Sequence, residues 1–214
     1  MAAEIREKRS GELTRQRILR AALARFADAS YEEVGLRDIA ADVGIDVALV
    51  HRSFGSKEQL FSEVVKAAVQ AERLLAFEKS DLSTSFAKNI FEPDSELMSG
   101  HAEALQIFIH SLSSPRAREV LRAFAWQDFI EPLAAKLDDR AQHRATLFVA
   151  CLIGIRILRD VLGVEPLLDA SRAETQPLIE KILDVCLDDS RATVPATAGT
   201  AFAEQVTRLR QPGP

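Results

Sequence analysis

Apolar positions in this chain recur at helical spacing, and two short, adjacent runs of them organise the rest. Leu36, Ile39, Ala40 and Val43 fall at i, i+3, i+4, i+7, which is one face of a helix. Gly44 supplies the positive-φ stop that a Cβ would oppose, Ile45 turns inward, and Asp46 is placed to cap a second short helix. That helix carries Val47, Val50 and Phe54 at i, i+3, i+7. Two such helices with a Gly-led turn between them form a helix-turn-helix, whose second helix enters the DNA major groove. Upstream, Leu13–Asp28 predicts a helix with Ile18, Leu19, Ala22, Leu23 and Phe26 on one face and Arg15, Arg17, Arg20 and Arg25 largely off it.

Downstream, Gly55 breaks the pattern, and Ser56 with Gln59 three residues on makes a capping box. The helix that follows is expected from about Lys57 to about Phe77, on the order of 30 Å long at its normal rise. Residues 80–100 are the least periodic part of the interior. Helices are then predicted over His101–Leu112, Arg116–Leu137, Arg140–Leu162 and Ser171–Leu187, with Pro132 either kinking the second or opening a new one. No strand pattern of note occurs. The expected fold is all-α: a three-helix DNA-binding unit with a basic arm over residues 1–55, joined by a shared helix to a helical bundle over 56–189. Residues 190–214, rich in Ala, Thr and Pro, are expected to form a mobile tail.

Composition changes this picture only locally. The formal charge of −5 over 214 residues speaks against a nucleic-acid partner only if averaged. Arg6–Arg25 holds seven basic residues against two acidic ones, so a basic start precedes an otherwise acidic chain. Met1–Ser10 has no apolar core, and no secretory leader is expected. The longest apolar run, Ala145–Ile155, is about half of what a spanning helix needs. Cys151 and Cys186 both lie in apolar helical patterns, as buried thiols of a reducing cytoplasm would. The expectation is a cytoplasmic protein.

The segments TRQRIL, LRDIAADVGI and ALVHRSFGSKE, with Tyr31 and Phe61 at their spacing, resemble the DNA-binding domain of the tetracycline-repressor (TetR) family of transcriptional regulators. The resemblance covers roughly Leu13–Val65, less than a third of the chain. It implies that Val47, Ala48 and Leu49 face the bases, where they can only touch thymine methyls. It implies that Arg37 reaches a base edge, its fork suiting guanine; an exposed charge paired with Asp38 or Glu33 is the competing reading. His51 stands where the family most often has Tyr. Either ring can bond a phosphate, but only His gains a charge near neutral pH. Arg52 and Ser53 flank it, and Lys57 beside a helix N-terminus suits a phosphate. Ser30 and Gly35 depart from the usual Gly and Thr, which touches individual contacts and not the fold.

For the remaining two-thirds the resemblance implies a regulatory bundle that dimerises and encloses an effector. Candidate pocket residues are Phe86, Phe91, Met98, Phe108, Phe124, Trp126 and Phe129; ordinary core packing is the competing reading for each. Ala150 and Gly154 at i, i+4 permit close helix approach beside Leu147, Cys151, Ile155 and Leu158. With Leu178, Ile182 and Val185 they would form half of a four-helix dimer interface; a monomeric core is the alternative. His101 and His110 lack partners at metal spacing, and no metal or cofactor is implied. No catalytic fingerprint occurs, so an enzyme is not expected. The function read here is a ligand-responsive repressor, binding a palindromic operator as a dimer and released by a small apolar or aromatic effector. A transcriptional activator, or a helical adaptor or enzyme domain without DNA binding, are the alternatives.

Overall fold

A computed structural model describes residues 1–92, 101–137 and 141–188 of the chain. Met98 and the 190–214 tail lie outside the described residues. Among those described, the structure is helical with no strand. Helix α1 (Ala2–Asp28) begins well before the expected Leu13. Its early turns carry no apolar stripe, so periodicity is blind to them, yet Ala, Glu, Arg and Lys there are good helix formers. Helices α2 (Leu36–Val43) and α3 (Val47–Phe54) follow, joined through Gly44 at φ 71°. Helix α4 (Lys57–Val69) starts from the expected capping box: Gln59 N–H donates to Ser56 Oγ at 3.2 Å, and Ser56 N–H to Gln59 Oε1 at 2.9 Å.

The expected long helix to Phe77 does not occur. It stops at Val69 because Gln70 adopts the left-handed conformation, φ 49° and ψ 48°, before a single turn, α5 (Ala71–Leu74). Thirteen residues give α4 a length of about 20 Å. Neither Gly nor Pro marks the break, so sequence punctuation could not show it.

The second half contains α6 (Leu82–Phe91), α7 (His101–Ser111), α8 (Pro115–Phe124), α9 (Glu131–Leu137), α10 (Gln142–Arg156) and α11 (Arg172–Leu187). A π-helical turn, Ala125–Ile130, joins α8 to α9, and another, Ile157–Val161, extends α10. The first of these has a visible cause. Pro132 lacks an N–H and its ring crowds the carbonyl four residues back, at Asp128; the wider turn accommodates both without stopping the helix.

Two hydrophobic cores result. The first gathers Ile18, Ala22 and Phe26 of α1, Ile39 and Val43 of α2, Val50 and Phe54 of α3, and Leu60, Phe61, Val64 and Val65 of α4. Phe26, Tyr31 and Phe61 meet at ring separations of 4.9 to 6.0 Å. Ile107 of α7 and Ala117 and Leu121 of α8 join it from far along the chain. The second core packs α6, α9, α10 and α11 around Phe86, Phe148, Leu133 and Leu183. Polar ties cross between α8 and the first core: Ser114 Oγ–H donates to Glu32 at 2.5 Å, and Arg116 lies 3.8 Å from Glu58.

Candidate functional site

The outer surface of α3 is held by its caps. Asp46 Oδ1 accepts from the Ala48 N–H at 2.7 Å, satisfying one orphan donor of the first turn. At the other end Gly55, at φ 78°, closes the helix with its N–H on the His51 carbonyl. Val50 and Phe54 are buried; Ala48, His51 and Arg52 are exposed, and Val47, Leu49 and Ser53 are half-buried. The apolar tip is therefore partly available and partly used to hold α3 down. His51 Nδ1 lies 2.9 Å from the Gly55 carbonyl, which can only accept. The proton therefore sits on Nδ1, and Nε2 is the nitrogen left for a partner.

Arg37 on α2 is exposed, and no ion pair or hydrogen bond engages it among the described residues. Its two expected rivals are occupied. Asp38 Oδ2 accepts from the Gly35 N–H at 3.2 Å, and Glu33 accepts from Ser30 N–H at 3.0 Å and Ser30 Oγ–H at 2.6 Å. The Ser30 hydroxyl, first of these causes, holds the Glu33 carboxyl below its usual range. Gly35 can offer no capping side chain, so Asp38 reaching back serves the start of α2 instead. A Cβ at Gly35 would meet that carboxylate oxygen at 2.6 Å.

Lys57, expected at a phosphate, is engaged within the chain in this structure. Its Nζ sits 4.3 Å over the Tyr31 ring, and the side chain is half-buried. Burial lowers its pKa, while Glu32 and Glu58 pull it back up. Several α1 arginines are also committed inward. Arg15 donates to Glu63 at 2.7 Å and lies 4.5 Å over the Phe54 ring; Arg17 donates to the Val43 carbonyl at 2.7 Å. Arg25 makes a two-pronged pair with Asp42, which lowers the Asp42 carboxyl through that hydrogen bond. The basic start of the chain thus spends much of its charge fastening α1 to α2, α3 and α4. Arg20, Arg37 and Arg52 remain outward.

A cavity of about 190 Å³ lies where the two cores meet. Val65, Ala68 and Val69 of α4 form one wall, and α6, α7, α8, the first π turn and α10 form the others. Phe86, Phe108, Phe124 and Phe129 of the candidate pocket residues line it. Phe91 does not reach it: its ring lies under Arg159 and Arg172, with guanidinium carbons 4.8 and 5.8 Å from the centroid. Trp126 points away and is half exposed. Two polar residues on the wall went unread in the sequence, Asn89 and Arg156. Asn89 did leave a signal, since it shares the buried face of α6 with Phe86 and Ile90 at i−3 and i+1.

Of the candidate dimer residues, Leu147 on α10, Leu158 in the π turn that extends it, and Leu178, Ile182 and Val185 on α11 are large exposed aliphatics. Ala150 is exposed too, and Cys151, Gly154 and Ile155 are half-buried. Among the described residues no cluster of His, Cys, Asp or Glu is placed to hold a metal, and no helix is long and apolar enough to cross a membrane.

Comparison with known proteins matches both halves. Residues 18–64 fit the model of bacterial regulatory proteins, tetR family, and residues 81–187 fit the tetracyclin repressor-like C-terminal domain. A TetR-family regulator from Streptomyces coelicolor A3 superposes with TM-score 0.57 at 23% identity, covering 81% of this chain and 94% of that one. The multidrug binding protein EbrR, solved in complex with ethidium, gives 0.59 at 21% identity over 82% and 99%. A protein from Saccharomonospora viridis in complex with choline gives 0.54 at 20% identity over 81% and 96%. At these identities the structural likeness is one of fold. Comparison with curated protein sequences finds no match.

Proposed function

The chain belongs to the tetR family of bacterial regulatory proteins, and from that premise we propose that it is a repressor whose dimer grips a palindromic operator and lets go when a small effector fills the cavity. Members of the family are non-enzymatic transcriptional regulators that bind operator DNA as homodimers and respond to small molecules. As a DNA reader it works in the cytoplasm. Residues 1–55 do the reading, and residues 56–189 bind effector and partner, a division of labour that cuts across the two cores.

One observation carries the reading. Helix α4 has the capped end that abuts α3 at residues 56–59, and its other end, Val65 to Val69, is a wall of the cavity. Anything that moves that wall moves the base on which α3 sits. An effector acts only through its different affinity for the two positions of α4. The broken helix makes this lever shorter and better anchored than a 30 Å rod, since α4 ends at Gln70 before the second core begins.

In this reading Val47, Ala48 and Leu49 contact thymine methyls, Arg37 and Arg52 contact bases or phosphates, and His51, Ser53 and Lys57 contact the backbone. Lys57 would first have to leave the Tyr31 face, which makes it the weakest contact of the set. The exposed aliphatics of α10 and α11 form the dimer face, because five large side chains in water on two adjacent helices are too many for a monomer surface. Phe86, Phe108, Phe124 and Phe129 hold the effector body.

The test is a gel shift with the DNA upstream of the chain's own coding sequence, repeated across salt concentrations. Sequence-specific binding that falls steeply with salt is expected, because phosphate contacts release counterions. Arg37→Ala is expected to weaken specific binding by about 1–3 kcal/mol, roughly 5- to 150-fold, and to narrow the margin over scrambled DNA. Replacing operator thymines with uracil should also cost affinity. Binding that ignores sequence, or is indifferent to salt, would contradict the reading.

A further inference from the structure

The cavity wall is apolar except at two places, and both present hydrogen-bond donors. Asn89 is 6% exposed, and its Nδ2 is a buried donor with no partner among the described residues. Leaving such a group unpaired is costly, so an acceptor in the cavity toward which the amide turns gains what the empty site forgoes. Arg156 supplies the second. Its Nε lies 2.7 Å from Asp160, and its side chain is 15% exposed. Its terminal guanidinium nitrogens have no partner among the described residues, although a guanidinium carries five N–H donors. Burial works against the Arg156 charge, with Asp160 opposing that effect and Arg159 adding to it. Among the described residues no carboxylate lines the cavity, so it offers a cation ring faces but no counter-charge, and Arg156 repels it.

The remaining walls are Phe86, Phe108, Phe124 and Phe129 with aliphatic neighbours, a surface for a flat or branched hydrocarbon. The space, about 190 Å³, somewhat exceeds the ~150 Å³ that admits a benzene ring in a dry protein cavity. That is room for one substituted ring or a short chain.

We propose that the effector is a small monocarboxylic acid, a one-ring aromatic or short-chain aliphatic, whose carboxylate takes hydrogen bonds from Asn89 Nδ2 and the Arg156 guanidinium while its hydrocarbon fills the phenylalanine walls. This rests on the reading of the cavity as the effector site. Arg156 supplies the charge that separates an acid from its amide, and Asn89 supplies a donor that either can use. The neighbouring Asp160 stays with Arg156 and Arg159, 2.7 and 3.4 Å from their Nε atoms, and so keeps the arginine fixed without competing inside the cavity.

The test uses the full chain and a matched panel: benzoate, phenylacetate and 3-phenylpropionate, then 3-phenylpropionamide and 3-phenylpropylammonium. Binding is read by calorimetry and by the fluorescence of Trp126, the chain's one tryptophan, which sits in the π turn that forms part of the wall. At least one acid is expected to bind ten or more times tighter than the amide and amine of the same skeleton. Arg156→Gln should erase that gap and Arg156→Lys should keep part of it, while Asn89→Leu should weaken acid and amide by similar factors. Circular dichroism and thermal melting of each variant separate a lost contact from a lost fold. An amide or amine that binds as well as the acid, or no acid binding at millimolar concentration, overturns the proposal. The operator arm is read separately. An acid that binds as described yet leaves operator affinity unchanged leaves the carboxylate site standing and contradicts its role as effector. An amine that binds and releases operator does the reverse.

Discussion

The two cores of this molecule are built to different standards. In the first, Phe26, Tyr31 and Phe61 pack ring on ring, Ile18, Ile39, Leu60 and Val64 are wholly buried, and helix ends carry local caps. The second is joined to it across a cavity and is interrupted by two π turns. Close packing resists displacement, because every neighbour of a shifted side chain must shift too. A void with wide helical turns around it permits alternative positions at small cost. A reader of fixed shape needs the first kind of interior, and a body that must answer to a ligand needs the second. Helix α4 belongs to the first core and touches the gap, which is what lets one region report to the other.

The strongest way to break this contrast is to open a hole where none should be tolerated. Phe61→Ala removes a fully buried ring from the aromatic trio and is expected to cost about 3–5 kcal/mol in urea or thermal unfolding. A loss under 1 kcal/mol would mean that the first core can collapse around the gap and is not tightly packed.

A paired overpacking experiment sharpens the comparison. Val64→Phe forces a ring into the packed core and is expected to destabilise by about 1–3 kcal/mol. Val149→Phe puts the same ring at the cavity wall, where there is space, and is expected to change stability by less than about 1 kcal/mol while displacing any ligand. Equal costs at the two sites would remove the distinction.

Gln70 lies at the joint between the regions, with a side chain in a backbone conformation that suits glycine. Gln70→Gly relieves that strain and gives up the Arg73–Gln70 hydrogen bond of 2.8 Å on the surface. A net gain of up to about 1 kcal/mol is expected. A clear loss would show that the glutamine side chain, and not the backbone turn, holds the joint.

The smallest effect concerns acid. Glu33, Asp42 and Glu58 in the first region have lowered pKa values, through Ser30, Arg25 and, for Glu58, its own backbone N–H respectively; Glu92 in the second is lowered by Arg172. A carboxyl lowered in the folded state stabilises the fold above its unfolded value, about pH 4, and that stability is lost as pH falls through the folded value. Urea midpoints taken downward from pH 5 should therefore decline, with the reader helices affected more. Asp42→Asn should make the decline slightly shallower, only slightly because the Arg25–Asp42 pair is exposed and screened by salt.

Much of the first region was legible because its signals are local. The heptad-like spacing of Leu36, Ile39, Ala40 and Val43, the stop at Gly44, the cap at Asp46 and the box at Ser56 and Gln59 each act within four residues. What was hidden depends on partners far along the chain. Lys57 reads as an exposed cation until Tyr31 is placed beneath it. Arg15, Arg17 and Arg25 read only as basic residues off the apolar face of the first helix until Glu63, the Val43 carbonyl and Asp42 take them up. The phenylalanines of the second region could be counted but not sorted, because whether Phe91 meets the cavity or two arginines depends on how α6 packs against α10 and α11. Asn89 and Arg156 escaped notice for the same reason: a polar residue in an apolar helix announces a buried need without saying what answers it. The left-handed turn at Gln70 has no sequence mark at all.

Native-state hydrogen exchange tests the contrast most directly. Amides of Ile18, Phe26 and Val64 are expected to exchange only through global unfolding, with opening free energies equal to the unfolding free energy. Amides of Ile90, Phe129 and Ile153 around the cavity are expected to open more easily, and to gain protection when a ligand is bound. Uniform protection in both regions, unaltered by a ligand that demonstrably binds, would contradict the account of a rigid reader governed by an adaptable body.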